Sequence, residues 1–216
     1  MADASVMKRD WDERARENAM HYVASGRDDW TVDEFIASGR HTVDHTVVPD
    51  LALITGGRDP KELRVLDVGC GMGRMTRSLA ELFGEVHGVD VSGEMIARSR
   101  ELLADVPNAF VYETSGEDLS VFPDDFFDFA YSFLCFQHVP FREVVVSNLR
   151  EVHRTLRAGS LFKFIVNGIV LDREPDTWIG VGFTEDEMHA LAAEIGFEVV
   201  RTKGARTQYL WNWWRR

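Results

Sequence analysis

The run Val65-Leu66-Asp67-Val68-Gly69-Cys70-Gly71-Met72-Gly73 constrains the fold more than any other stretch of this chain. An apolar strand runs into an aspartate and then into three glycines spaced two apart. A second apolar stretch, Val86-His87-Gly88-Val89, ends at Asp90. Glycine accepts positive φ and lets a ligand approach the backbone with no Cβ in the way. The helix expected over Arg74 to Phe83 begins with free N–H groups, and its dipole favours negative charge there. A strand, a glycine turn, a helix and an acidic residue about 20 positions further on describe a nucleotide-binding βαβ unit.

From Leu63 onward, strands alternate with helices. Strands are expected at Arg64–Val68, Val86–Val89, Ala109–Tyr112, Phe127–Ser132, Leu161–Val166, Glu198–Thr202 and Gln208–Trp214. Such alternation predicts an α/β fold with a mostly parallel sheet and helices on both faces. Ser92 is expected to cap one helix, and Thr184 to open another that ends at Gly196. The chain before Arg58 is helical in character. Trp11, Ala15 and Ala19 share a helical face. Ser25–Asp29 is a break, Thr31 and Glu34 form a capping box, and Gly39 is expected to close a short helix. A further helix is expected over His41–Ile54, with Pro49 as a kink. The organisation predicted is an N-terminal helical cap over residues 1–58 and a ligand-binding domain over 59–216.

The glycine turn alone would serve NAD, FAD or S-adenosylmethionine (SAM). Three details favour SAM. The spacing is GxGxG, and Arg74 stands where GxGxxG would place its third glycine for helix–strand packing. Asp67, beside the turn, would repel a pyrophosphate and attract the ammonium of a methionine moiety. Asp90 can accept hydrogen bonds from both ribose hydroxyls.

Val65–Thr76 resembles the first motif of the class I SAM-dependent methyltransferases, and Gly88–Ile96 the second. Glu117-Asp118-Leu119, Phe127–Ser132 and Gln137-His138-Val139-Pro140 resemble the third and fourth. Leu149–Ser160 resembles the helix and turn before the fifth strand. The resemblance implies a Rossmann-like seven-stranded sheet in the order 3-2-1-4-5-7-6 with the last strand antiparallel. It also implies SAM as cofactor, S-adenosylhomocysteine (SAH) as product and a small-molecule acceptor. The cofactor contacts expected are Asp67, Gly69, Cys70, Gly71 and Arg74, then Asp90, Val91 and Met95. Ser115, Gly116 and Glu117 follow the third strand; Ser115 stands where many relatives carry an adenine-binding aspartate. Ser132 and Phe133 end the fourth strand, and Tyr22 could line the pocket from the N-terminal helices or pack between them. His138 is the candidate general base, weighed against a structural role at the rim.

The net charge of −12 argues against nucleic acid as a partner. No apolar run approaches a membrane span, and Met1–Ser5 lacks the blocks of a signal peptide. The two cysteines, Cys70 and Cys135, have no CxxC spacing and read as reduced thiols in a cytoplasmic protein. No metal constellation is expected: His41 and His45 are one turn apart but lack a third ligand. His153 is expected to be solvated. A non-catalytic SAM- or SAH-binding subunit and an NAD-linked oxidoreductase are the alternatives, and the Asp67 and Arg74 positions oppose the latter.

Overall fold

A computed structural model describes residues 4–216. Met1, Ala2 and Asp3, part of the expected cap and of the stretch read against a signal peptide, lie outside the described residues. Seven strands form one sheet: β1 (Arg64–Val68), β2 (Glu85–Asp90), β3 (Ala109–Glu113), β4 (Phe127–Ser132), β5 (Leu156–Val166), β6 (Glu198–Lys203) and β7 (Leu210–Arg215). Their order is β3-β2-β1-β4-β5-β7-β6, as the resemblance implied. β1 pairs parallel with β2, β2 with β3 and β4 with β5. β7 runs antiparallel to both β5 and β6. Burial follows this order. Every residue of β4 is buried, whereas the edge strands β3 and β6 are largely half-buried or exposed.

The helices are α1 (Ala4–Val23), α2 (Val32–Thr46), α3 (Leu51–Thr55), α4 (Arg74–Leu82), α5 (Gly93–Leu102), α6 (Arg142–Thr155) and α7 (Glu185–Ile195). By contacts the described residues divide into two compact units, Met7–Glu113 and Thr114–Arg216 with residues 4–6.

In the first unit, Val65, Leu66, Val86, Leu79, Met75 and Ile96 are buried where α4 and α5 cover the strands. The expected caps form: Thr31 and Glu34 make a capping box, and Ser92 Oγ accepts the Met95 N–H. Gly39 does not close a helix. It lies buried inside α2, where a Cβ would stand 2.5 Å from the Arg74 carbonyl oxygen, so it is the close-contact point of α2 and α4. The single helix expected over His41–Ile54 is likewise corrected. α2 ends at Thr46, Pro49 sits in a 3-10 turn over Val48–Asp50, and α3 follows. Proline lacks the N–H that a continuous helix would need.

α1 leaves helical geometry at Asn18 (φ −162°, ψ 85°). The Asn18 side chain accepts the His21 N–H at 3.1 Å and donates to the Asp28 carbonyl at 3.1 Å, so it caps the last turn. Ala15 and Ala19 are buried against Phe35, Met72 and Met95, with Trp11 and Trp30 packed on that cluster. Polar ties fix the same helix. Asp12 accepts from Ser92 Oγ at 2.7 Å and from the Glu94 N–H at 3.2 Å, and Lys8 pairs with Glu113 at 2.6 Å.

The second unit has an aromatic core. Phe162 and Phe164 stack at 4.3 Å, and Trp214 meets Phe164 at 4.8 Å and Phe197 at 5.2 Å. Lys163 lies over the Trp211 and Trp213 rings at 4.8 and 4.7 Å. β5 begins at Leu156, earlier than expected, with Gly159 left-handed at φ +82° and its N–H bonded to the Arg216 carbonyl. His153 is not solvated. Its ring packs edge-on against Phe197 at 4.8 Å, and burial pushes its pKa down.

Candidate functional site

The glycine turn is held from below by β2: the Gly69 and Cys70 N–H groups both donate to the Val89 carbonyl, at 2.9 and 3.0 Å. Gly69, Gly71 and Gly73 are all left-handed, with φ of +74°, +54° and +86°. Side chains rarely adopt such values. The space is closed as well. A Cβ on Gly71 would stand 2.9 Å from a Val23 methyl, and one on Gly73 would stand 2.5 Å from Ser99 Oγ. Gly88 in β2 makes room for Cys70, whose Cβ and Sγ lie 2.9 Å from where a Cβ would be.

Asp67, at the end of β1, is 2% exposed. Its Oδ2 accepts the Thr76 hydroxyl of α4 at 2.7 Å. Burial pushes its pKa up to about 6, with the Thr76 hydrogen bond opposing and Asp90 adding to the rise. A buried carboxylate held by a neutral hydroxyl is matched to a cationic ligand group. Asp90 ends β2 with its carboxylate held by backbone N–H groups: Oδ2 accepts from Gly71 and Oδ1 from Ser92, both at 2.9 Å, and the Val91 N–H also donates to it. Burial raises its pKa and these N–H groups lower it. A carboxylate offers about four lone-pair sites, so three backbone donors leave capacity for a hydroxyl donor. Three left-handed glycines, a buried acid and an acid that braces the turn thus fit the ammonium and ribose of SAM.

Met95 is buried beneath this turn, and Val91 is half-buried beside Asp90. Arg74 is engaged by α2: Nη1 donates to Ser38 Oγ at 3.3 Å and Thr42 Oγ1 at 3.2 Å. The Tyr22 hydroxyl donates to Glu17 at 2.8 Å, and its ring packs on the Met72 cluster.

The remaining candidates lie in the second unit. Ser115 Oγ donates to Asp118 at 2.8 Å and accepts the Glu117 N–H at 3.1 Å. Gly116 is left-handed at φ +79°, and its carbonyl accepts Asn148 Nδ2 of α6 at 2.7 Å. Ser147 holds the Glu117 carbonyl at 2.7 Å, and the Glu117 side chain is exposed. Ser132 is fully buried at the end of β4, and Phe133 stacks on Tyr131 at 6.3 Å and meets Trp211 at 5.8 Å. Leu134 then turns left-handed, at φ +57°. That is an outlier for a bulky residue, and such strain concentrates at functional sites. Nothing in the amino-acid pattern announces it.

His138 stands in the 3-10 turn Phe136–His138. Its Nδ1 lies 2.7 Å from the Trp178 carbonyl oxygen, and its ring lies 5.2 Å from the Trp178 ring. A carbonyl only accepts, so Nδ1 carries the hydrogen and the neutral ring has its lone pair on Nε2. Among the described residues, no group of three or more His, Cys, Asp or Glu is placed to hold a metal, and no helix is long and apolar enough to cross a membrane.

Residues 66–164 match a protein family described as a methyltransferase domain. The chain is 34% identical over 97 residues to phosphoethanolamine N-methyltransferase 2 of Caenorhabditis elegans, covering 44% of this chain and 22% of that protein. It is 38% identical over 110 residues to 2-methyl-6-phytyl-1,4-hydroquinone methyltransferase of Synechocystis sp. (strain ATCC 27184 / PCC 6803 / Kazusa), covering 49% of this chain and 33% of that protein. It therefore spans a third or less of the length of these curated relatives. Among solved structures, magnesium protoporphyrin IX methyltransferase from Synechocystis PCC 6803 with bound SAH superposes with a TM-score of 0.69 at 19% identity, covering 99% of this chain and 100% of that one. A SAM dependent methyltransferase from Aquifex aeolicus gives a TM-score of 0.60 at 19% identity, over 86% of this chain and 98% of that one. Both share the fold.

Proposed function

We propose that this chain is a class I SAM-dependent methyltransferase, a reading supported by its match to a methyltransferase-domain family over residues 66–164, and that it moves a methyl group from SAM to an oxygen, nitrogen or carbon nucleophile of a small-molecule acceptor. The observation that carries this reading is Asp67: a carboxylate 2% exposed, held by one hydroxyl and set beside three left-handed glycines. In this reading Asp67 meets the ammonium of SAM, and Gly69, Cys70 and Gly71 let its chain approach the backbone. Asp90 takes the ribose hydroxyls, with Val91 and Met95 flanking. Gly116 and Glu117 are the proposed adenine contacts, and residues up to 58 form the cap.

When bound, SAM supplies an electrophilic methyl carbon; its bond to sulfur breaks as the bond to the acceptor forms, and SAH leaves. The protein positions the partners and excludes water. For a hydroxyl or a protonated amine, His138 Nε2 takes the proton, with Nδ1–H held by Trp178.

Calorimetric titration with SAM, SAH and NADH tests the reading. Micromolar binding of the first two and none of the third supports it. Binding of NADH, or of none of them, overturns it.

A further inference from the structure

The connection between β5 and α7 leaves apolar side chains in the open. Ile169, Val170, Leu171 and Trp178 are 39%, 59%, 43% and 38% exposed. They are four of the nine large apolar side chains exposed among the described residues, and they fall within ten positions. Scattered exposed apolar residues need no explanation, but a cluster marks a binding surface. Of these four, Val170 and Leu171 line a groove of about 180 Å³. An apolar cavity of roughly 150 Å³ holds a benzene ring, so the groove has room for one ring or a short branched chain.

The groove floor is built. The Gly180 N–H donates to the Gln137 carbonyl at 2.8 Å, and the Val181 N–H donates to the Val139 carbonyl at 2.9 Å. A Cβ on Gly180 would stand 2.4 Å from the Val139 carbonyl oxygen, and one on Gly182 would stand 2.1 Å from that of Ile169. Only glycines allow the strap over 179–182 to lie this close. The strap also fixes the neighbourhood, because the residue before it, Trp178, holds His138.

The charge of the lining departs from that of the chain. Overall there are 36 acidic and 24 basic residues, yet the groove is lined by two arginines, Arg142 and Arg173, and by no acid. Arg142 is the first residue of α6 and so adds to the positive end of that helix. It lies 4.3 Å over the Phe183 ring, donates to the Gly182 carbonyl at 3.2 Å and pairs with Glu187 at 3.0 Å. Glu187 in turn is tied to the Thr184 N–H at 2.7 Å in its capping box. Arg173 has only a long pair with Asp176, at 3.9 Å with both side chains exposed. The Asp176 Oδ1 is already shared by the Trp178 and Ile179 N–H groups, at 2.7 Å each. An exposed pair of that kind contributes little and yields easily to a better anion.

We propose that this groove binds a small molecule with an apolar body and an anionic group, a carboxylate or phosphate: the body on Val170, Leu171, Ile179 and Val181, and the anion on Arg173 and Arg142. That this molecule is the methyl acceptor rests on the function proposed above, and its place beside the Trp178–His138 contact supports the identification.

The test uses three probes of one shape on the whole chain: phenylbutyrate, its neutral amide and phenylbutylamine. Calorimetry should show phenylbutyrate binding at least tenfold more tightly than the amide, and the amine weakest. Arg173→Gln should cut the preference to about threefold or less while leaving SAH binding unchanged. Val170→Glu should remove binding of both carboxylate and amide. Equal binding of the three probes, no binding of any at millimolar concentration, or an unchanged preference in Arg173→Gln overturns the proposal. Saturating phenylbutyrate should leave SAH affinity intact, because an acceptor and the cofactor must bind together; competition overturns the acceptor assignment. Failure of SAH to bind the wild-type chain overturns the methyltransferase reading instead, and it does so independently of the probe results.

Discussion

The two compact units of this molecule do comparable work with different materials. Met7–Glu113 packs mainly aliphatic side chains under its sheet, with an aromatic cluster around Phe35, is punctuated by glycine, and carries its main candidate ligand groups on strand ends and in one turn. Thr114–Arg216 is aromatic at its core, and apart from Ser132 at the end of β4 its candidate groups sit on loops, among them the 3-10 turn that carries His138 and the strap over 179–182. In the first, the proposed site joins two strand-end carboxylates to a turn fixed by backbone conformation. In the second, the proposed groups are side chains displayed by backbone that the aromatic core holds still. A binding element made of backbone tolerates no substitution, whereas one made of displayed side chains can be retuned with the fold left standing.

Substitutions can break that contrast. Gly73→Val forces a β-branched residue into φ +86° and against Ser99. It should cost about 3 kcal/mol or more of stability, read by denaturant unfolding. A cost below about 1 kcal/mol would mean the turn is not rigid. His138→Gln should lower turnover on a hydroxyl acceptor by roughly 100-fold while leaving SAM affinity unchanged; a loss of SAM affinity would make His138 structural. Asp90→Ala should weaken SAM binding by about 1.5–3 kcal/mol for each charge-assisted hydrogen bond lost, and calorimetry that finds no change removes it from the ribose role.

Asp67 sharpens the contrast through pH. Its pKa of about 6 lies above its ordinary 3.8, and an ammonium prefers the ionised form. SAM affinity should therefore hold above pH 7 and fall by up to about tenfold per unit below pH 6, and Asp67→Asn should flatten that slope. In the ligand-free protein the sign reverses. The folded state binds more protons than the unfolded between those values, so this group's contribution to stability is present below pH 4 and lost as pH rises through 6. The smallest effect belongs to the second unit. Val170→Ser, on a side chain 59% exposed, should change stability by less than about 0.5 kcal/mol.

The same contrast explains what could be read from the amino-acid sequence. The strand ends at Val68, Asp90 and Ser132 were legible because alternation, glycine and acid mark them. Ser92, Thr31 and Thr184 were legible as caps because capping is local chemistry. Gly39 was not, because a helix-closing glycine and a helix-crossing glycine look alike until the partner, α4, is in place. Arg74 reads as a cofactor contact by its place in the motif, but its long side chain reaches Ser38 and Thr42 on α2. The groove had no signature at all. Ile169-Val170-Leu171 lies past the strand expected to end at Val166, and the glycines that fold the strap against it are far from the motifs. The left-handed Leu134 is set by tertiary packing and leaves no local mark.

The six tryptophans carry one more consequence. Trp11 and Trp30 pack on the cluster that includes Met72 of the glycine turn. Trp178 stands exposed beside the groove, and Trp211, Trp213 and Trp214 belong to β7. The chain thus carries built-in fluorophores in three environments, and emission from single-tryptophan variants would report ligand arrival at the turn and at the groove as separate optical signals.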